Sequence, residues 1–215
     1  MTKTSLDFTN EYLITCEFCA KMNSFVRMKS KRKWYDFHII VENKNFVVVP
    51  ALGSIVPGYL LIVPKQHVLS MAKLSIDLLN ELIDFSIRIE KLQSNYWGLP
   101  IIFEHGMCSK TESAGACINH AHWHMVPGNW DLLSANLKYM QVPSFLNFAK
   151  NNKGNKPYLL FINKDKQSFI IEEEGIPHQY FRRQLARLIG EAEKWDYVVY
   201  PFFENMKETL TKLTT

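Results

Sequence analysis

His120-Ala121-His122-Trp123-His124-Met125-Val126 sets three histidines in strict alternation. In an extended strand successive side chains point to opposite faces, so the three imidazoles share one surface. Ala121, Trp123 and Met125 then turn the other way, into a core. Three of the chain's seven histidines on one strand face mark a site. A neutral imidazole near pH 7 serves as nucleophile, proton carrier or metal ligand, and the cluster is able to combine these roles.

Outward from this strand, residues 101–104 (Ile-Ile-Phe-Glu) read as its partner, with the polar, small-residue stretch from Gly106 to Cys117 between the two. Before them, Ser75 is an N-cap for a helix reaching about Tyr96 and closed by Gly98 and Pro100. Leu78, Leu82, Phe85, Ile89 and Leu92 recur at steps of three and four, which makes one buried stripe. Earlier still, residues 37–41, 46–49 and 59–63 read as strands, the last following the turn Val56-Pro57-Gly58. The result is an antiparallel meander of about five strands with a long helix on one face, so the fold class is α+β.

Beyond Pro127 the pattern changes. Residues 142–151 suggest a short helix, and 158–162 with 168–171 a hairpin around Asn163-Lys164-Asp165-Lys166. Pro177 stands near the start of a helix reaching about Ala192, and a last helix follows Pro201. The expected division is a catalytic domain over 1–130 and a C-terminal α/β extension over 131–215 packed on it, with no flexible linker between them.

The composition, 47% hydrophobic and 21% charged over 215 residues, supports a normal globular core. A net charge of +4 suits a phosphate-bearing ligand without requiring one. Met1 to Tyr12 lacks the apolar region of a secretory signal. The longest apolar stretch, 46–64, contains Pro50, Pro57, Pro64, Gly53 and Gly58, which exclude a membrane span there. With only four cysteines and no signal, the reading is a soluble cytoplasmic protein with no membrane partner. Residues 27–33 hold five basic side chains in seven. No aromatic interleaves them, so a solvated loop is favoured over a nucleic-acid track. Cys16-Glu17-Phe18-Cys19 is a Cys-x-x-Cys pair that, alone, is redox-active, metal-binding or incidental.

The alternating histidines followed by Met125 and Val126 resemble the signature of the histidine-triad (HIT) superfamily of nucleotide hydrolases and transferases. Leu61-Ile62-Val63-Pro64-Lys65-Gln66-His67 resembles that family's strand ending in Pro-Lys-x-His, in the right order before the long helix. The likeness is strongest over 16–127. It implies that His122 attacks the α-phosphorus of a nucleotide and forms a covalent nucleotidyl-imidazole. His124 would contact the phosphate or assist the leaving group. Ser109, Lys110 and Ser113, in the loop before the triad, would stabilise phosphoryl oxygens. In some branches of the family a Cys-x-x-Cys pair and two histidines bind structural zinc; here those are Cys16, Cys19, His67 and His120.

Glu104-His105-Gly106, Val126-Pro127 and Gln179-Tyr180-Phe181-Arg182 resemble a bacterial subgroup of the family. Glu104 stands where many members carry an amide, so His105 is expected to take over a phosphate contact, or Glu104 to act on an amine or hydroxyl. Gly115-Ala116-Cys117 replaces the usual Gly-Gln-Ser/Thr, and Ala51 stands in place of a ribose-binding Asp, while Leu52 remains an apolar wall for a base. Gln179, Arg182 and Arg183 near a helix start are further phosphate candidates. The expected activity is hydrolysis of a dinucleoside polyphosphate or nucleotide conjugate. Transfer of the nucleotide to phosphate or a sugar phosphate is the alternative, and a non-catalytic nucleotide- or RNA-binding module the rival. Small members of the family are commonly homodimers, and a homodimer is compatible with this chain.

Overall fold

The computed structural model describes residues 16–22, 34–35, 38–107, 118–134, 136–173 and 175–214. In chain order the elements are α1 (Glu17–Met22), β1 (Val41–Glu42), β2 (Phe46–Pro50), β3 (Leu60–Pro64), α2 (Ile76–Trp97), β4 (Pro100–Gly106) and β5 (Trp123–Pro127). They continue with β6 (Met140–Val142), α3 (Phe145–Asn152), β7 (Tyr158–Ile162), β8 (Ser168–Ile171), α4 (Tyr180–Leu188) and α5 (Phe203–Leu213).

All eight strands form one antiparallel sheet in the order β1-β2-β3-β5-β4-β7-β8-β6. The expected strands of the first part supply five of these, and the C-terminal hairpin with β6 adds three. The count therefore exceeds the expected five because the extension continues the same sheet. It does so at β4, whose free edge pairs with β7 from Ile102↔Ile162 to Gly106↔Tyr158. Backbone groups left open there would be a template for pairing, and β7 satisfies them.

The central strands β2, β3, β4, β5 and β7 are buried along their whole length. That requires a core on each face, and apolar residues at period two are divided between two clusters. One holds Leu60, Ile62, Trp123, Met125, Tyr158 and Leu160 under α2 and α3. The other holds Leu61, Val63, Phe103, Val126, Leu159 and Phe161 under α4. Helix α2 starts where the sequence places it: the Ser75 side chain accepts from Leu78 N–H, and Leu79, Leu82, Phe85 and Ile89 are buried.

Several boundaries differ from expectation. The strand expected over 37–41 pairs only at Val41 and Glu42, with one further bond from Ile40 N–H to Val48 O; Phe37 lies outside the described residues. The histidine strand enters the ladder at Trp123, because Ala121 N–H is already taken by the Val68 carbonyl in the connection after β3. The helix expected from Pro177 to Ala192 is confined to α4. Gln179 precedes it in a left-handed conformation (φ 55°), and Gly190, at φ 80°, follows its end.

Candidate active site and metal centre

The alternation survives outside the ladder. Ala121, Trp123 and Met125 enter the core beneath α2, and His120, His122 and His124 face the other way. Strand β4 repeats the rule beside them: Phe103 and His105 face the histidines, while Glu104 turns to the opposite core. The sheet thus brings side chains of β3, β4 and β5 to one surface, and α1, α4 and the connections around them close it into a cavity.

At one end, Cys16 Sγ lies 3.3 Å and Cys19 Sγ 3.5 Å from Nδ1 of His120, and Cys19 Sγ is 3.2 Å from Nδ1 of His67. All four donor atoms lie within 4.8 Å of one another. The Nε2–H of His120 donates to the Pro64 carbonyl at 2.8 Å, since a carbonyl can only accept, and this turns the Nδ1 lone pair toward the sulfurs. A hydrogen bond from Cys19 holds Cys16 well below the usual thiol range, and the shared proton stays on Cys19. Two sulfurs and two imidazole nitrogens converging on one point fit a tetrahedral zinc ion with no open position. Such an ion would cross-link α1 to β3 and the triad.

Next along the row, His122 Nδ1–H donates to the His120 carbonyl at 2.8 Å. The carbonyl accepts only, so the lone pair of His122 is on Nε2, and the ring lines the cavity. Burial holds its pKa down at about 4, with the nearby His120 and Arg182 adding to the effect, so the ring is neutral at pH 7. Phe18 packs edge-on against both His120 and His122, with ring centroids 5.6 and 5.5 Å away.

His124 lies 4.6 Å from His122, centroid to centroid, stacks on Phe103 at 4.3 Å and meets the Tyr59 hydroxyl at Nδ1, 2.7 Å away. Burial, then His122, His105 and Arg182, hold its pKa well below the ordinary value. His105, 6.0 Å from His124, is likewise neutral at about 3, chiefly through burial, and its Nε2 accepts Phe181 N–H from the first turn of α4.

Arg182 completes the row from the C-terminal part of the chain. It is 3% exposed, and its guanidinium donates to the Gly53 carbonyl (2.8 Å), the Trp195 carbonyl (3.0 Å) and the Gln179 side-chain oxygen (3.0 Å). All three acceptors are neutral. A buried cation whose hydrogen-bond acceptors among the described residues are all neutral, beside three neutral imidazoles, gives the cavity a positive floor suited to an anion. Gly53 makes the contact possible: at φ +75° a Cβ there would fall 2.4 Å from Tyr197 Cβ and 2.6 Å from Arg182 Nη2.

Of the residues singled out in the sequence, His120, His122, His124, His105, Leu52, Gln179 and Arg182 meet at this cavity or its metal end, with Cys16, Cys19 and His67 beside them. Glu104 does not: it lies on the opposite face, accepting from Met71 N–H (2.7 Å), the Tyr158 hydroxyl (2.7 Å) and Trp123 Nε1–H (3.3 Å). Period two along β4 puts it there, with His105 in the site. Arg183 also turns away, donating to the His178 carbonyl with its guanidinium 3.3 Å over the Trp195 ring. Ser109, Lys110 and Ser113 lie outside the described residues. Sequence reading missed Tyr59, Phe103, Phe18 and Tyr197. The first two were accessible from alternation, two residues before Leu61 and His105. Nothing local marks Tyr197.

Residues 32–130 match the family model of the HIT domain. The chain carries a HIT domain. No curated protein matches it. Among solved structures, a zinc-bound histidine triad family protein from Mycobacterium smegmatis is 20% identical, over 64% of this chain and 89% of its own, with a TM-score of 0.43. A hypothetical histidine triad nucleotide-binding protein from Sulfolobus tokodaii is 16% identical over 61% and 87%, at 0.39. A HIT family hydrolase from Clostridium thermocellum is 18% identical over 63% and 100%, at 0.37. Scores this low say nothing about activity. Among the described residues no helix of this HIT protein is long and apolar enough to cross a membrane.

Proposed function

We propose that this HIT protein is a nucleotide hydrolase that cleaves a dinucleoside polyphosphate or nucleotide conjugate through a nucleotidyl group carried on His122. The observation that carries the reading is the hydrogen bond from His122 Nδ1–H to the His120 carbonyl. It leaves the Nε2 lone pair on a neutral ring inside a cavity floored by Arg182. A neutral, oriented imidazole is what attack on phosphorus requires.

In this reading the phosphate sits over His122 and His124, with Arg182, His105 and Gln179 offsetting the charge on its oxygens and on the departing group. Val49, Ala51, Leu52 and Leu61 line the apolar wall where a base would lie. Attack by His122 Nε2 expels the leaving group, and water then releases the nucleoside monophosphate. Zinc on Cys16, Cys19, His67 and His120 would be structural, holding the His120 carbonyl in place for His122. The extension over 131–215 contributes Gln179 and Arg182, so it acts as part of the catalytic unit. Transfer to phosphate or a sugar phosphate remains the second reading, because the anion floor would serve such an acceptor equally.

The test is incubation with adenine and guanine nucleotide conjugates labelled at the α-phosphate. Acid-sensitive, base-stable label on the wild-type chain, absent from His122→Ala, supports the enzyme. Tight nucleotide binding with no label and no turnover would replace it with a binding module. Free nucleoside monophosphate as product supports hydrolysis; nucleoside diphosphate or nucleotide-sugar formed when phosphate or a sugar phosphate is added supports transfer.

A further inference from the structure

We propose that the Tyr59 hydroxyl is a positioning group that donates to Nδ1 of His124, fixing that ring with its proton on Nε2, where it serves the departing group. The inference rests on the nucleotidyl-transfer reading of the same cavity and assigns how His124 is made a donor.

The geometry points to it through the inventory of hydrogen atoms. Tyr59 Oη and His124 Nδ1 are 2.7 Å apart and both are buried. One proton occupies that contact, and its owner depends on what else Tyr59 meets. The Arg182 guanidinium lies 5.7 Å from the Tyr59 ring centroid, and a guanidinium only donates. Lying over the phenol ring, it can engage only the oxygen's lone pairs and cannot accept the phenolic hydrogen, so His124 Nδ1, the acceptor 2.7 Å away, is where that hydrogen goes. Burial keeps Tyr59 protonated, its pKa pushed up to about 12 against the opposing pull of Arg182. Stacking on Phe103 at 4.3 Å, with an interplanar angle of 15°, holds the plane of the His124 ring so that Nδ1 meets Tyr59 at 2.7 Å.

His122 and His124 therefore hold opposite nitrogens toward their supports. In His122 a carbonyl takes the Nδ1 hydrogen and frees Nε2 as a lone pair. In His124 a hydroxyl fills Nδ1 and frees Nε2–H as a donor. One ring is set to attack and its neighbour to give a proton.

The step balances without an outside reagent. His122 Nε2 forms its bond to phosphorus while the bond from phosphorus to the leaving atom breaks, its electron pair staying on that atom. His124 Nε2–H gives its proton there, and Nδ1 takes the Tyr59 proton, so the imidazole carries no negative charge. The phenolate stands beside Arg182. When water attacks the nucleotidyl-His122, its proton returns to His124 Nε2 and the Nδ1 proton goes back to Tyr59.

The experiment uses the full chain with 15N-labelled histidine. Two-bond 15N–1H correlation spectra, with His124→Gln to assign the ring, are expected to show wild-type His124 protonated on Nε2. Protonation on Nδ1 would overturn the proposal, and this arm requires no Tyr59 variant to fold. In Tyr59→Phe the spectrum should shift toward the other tautomer. The kinetic arm compares an amine leaving group, from a nucleoside phosphoramidate, with a p-nitrophenolate leaving group, which departs without a proton. Tyr59→Phe is expected to slow the amine substrate at least about tenfold more than the nitrophenyl ester. Equal slowing of both would reduce Tyr59 to a packing residue. Failure of wild type to label His122 with either substrate would instead sink the nucleotidyl-transfer reading, while the tautomer assignment is read independently.

Discussion

His120 serves His122 with its backbone and the cysteines with its ring. Its carbonyl accepts from His122 Nδ1–H at 2.8 Å, while its own Nδ1 lies 3.3 Å from Cys16 Sγ. The candidate metal site and the proposed nucleophile thus share one residue, and displacement at the first is expected to shift the carbonyl that orients the second.

Cys16→Ser should therefore cost more than metal. Metal analysis of the purified chain is expected to fall from about one zinc equivalent to well under half. The thermal midpoint should drop, and label on His122 should form more slowly even in the folded fraction. Unchanged metal content would remove zinc from the account.

The buried histidines predict an acid-side loss of stability. His105 titrates near 3 in the folded chain against about 6.5 when unfolded, so the unfolded state binds more protons between these values. A lowered folded pKa gives stability that is fully present above about pH 6.5 and falls as pH drops toward 3. His105→Gln keeps an acceptor for Phe181 N–H and should flatten the slope of stability against pH by about one proton, ~1.4 kcal/mol per pH unit, between pH 6 and 4. Denaturant melts at several pH values measure it; an identical slope in the variant would contradict the burial argument.

Gly53→Ala probes the support of Arg182. The added methyl meets Tyr197 Cβ at 2.4 Å and Arg182 Nη2 at 2.6 Å, and the backbone is held at φ +75°. A destabilisation of about 1–3 kcal/mol is expected, with a raised KM for nucleotide because the guanidinium must move. A neutral effect on both would show that the loop carrying Gly53 yields freely.

Glu104→Ala tests which face that carboxyl serves. It leaves Met71 N–H, Trp123 Nε1–H and the Tyr158 hydroxyl without their acceptor, so stability should fall by about 2–4 kcal/mol. Below its melting range the variant should bind nucleotide with a KM close to wild type. A large KM change with stability intact would return Glu104 to the substrate.

Period two made most of the site legible. His120, His122 and His124 on one face, and His105 beside them, follow from alternation within two strands. The same rule, applied one residue further, separates Glu104 from His105, and it places Tyr59 on the face of Leu61. The convergence of Cys16 and Cys19 on His67 and His120 was implied by resemblance, since no local pattern ties residues a hundred positions apart. Arg182 was legible as a basic residue near a helix start, but its burial was not, because that depends on Gly53 and Trp195 closing around it. The join of the hairpin to β4 had no local signal either. Edge pairing is decided by which strand is left open in three dimensions.

That join has a consequence for how the protein works in dilute solution. With β7 lying along β4, every side chain assigned to the site, from Cys16 to Arg182, is supplied by a single polypeptide. Turnover per chain is expected to be the same at nanomolar as at micromolar concentration; a fall on dilution would bring a second copy into the site.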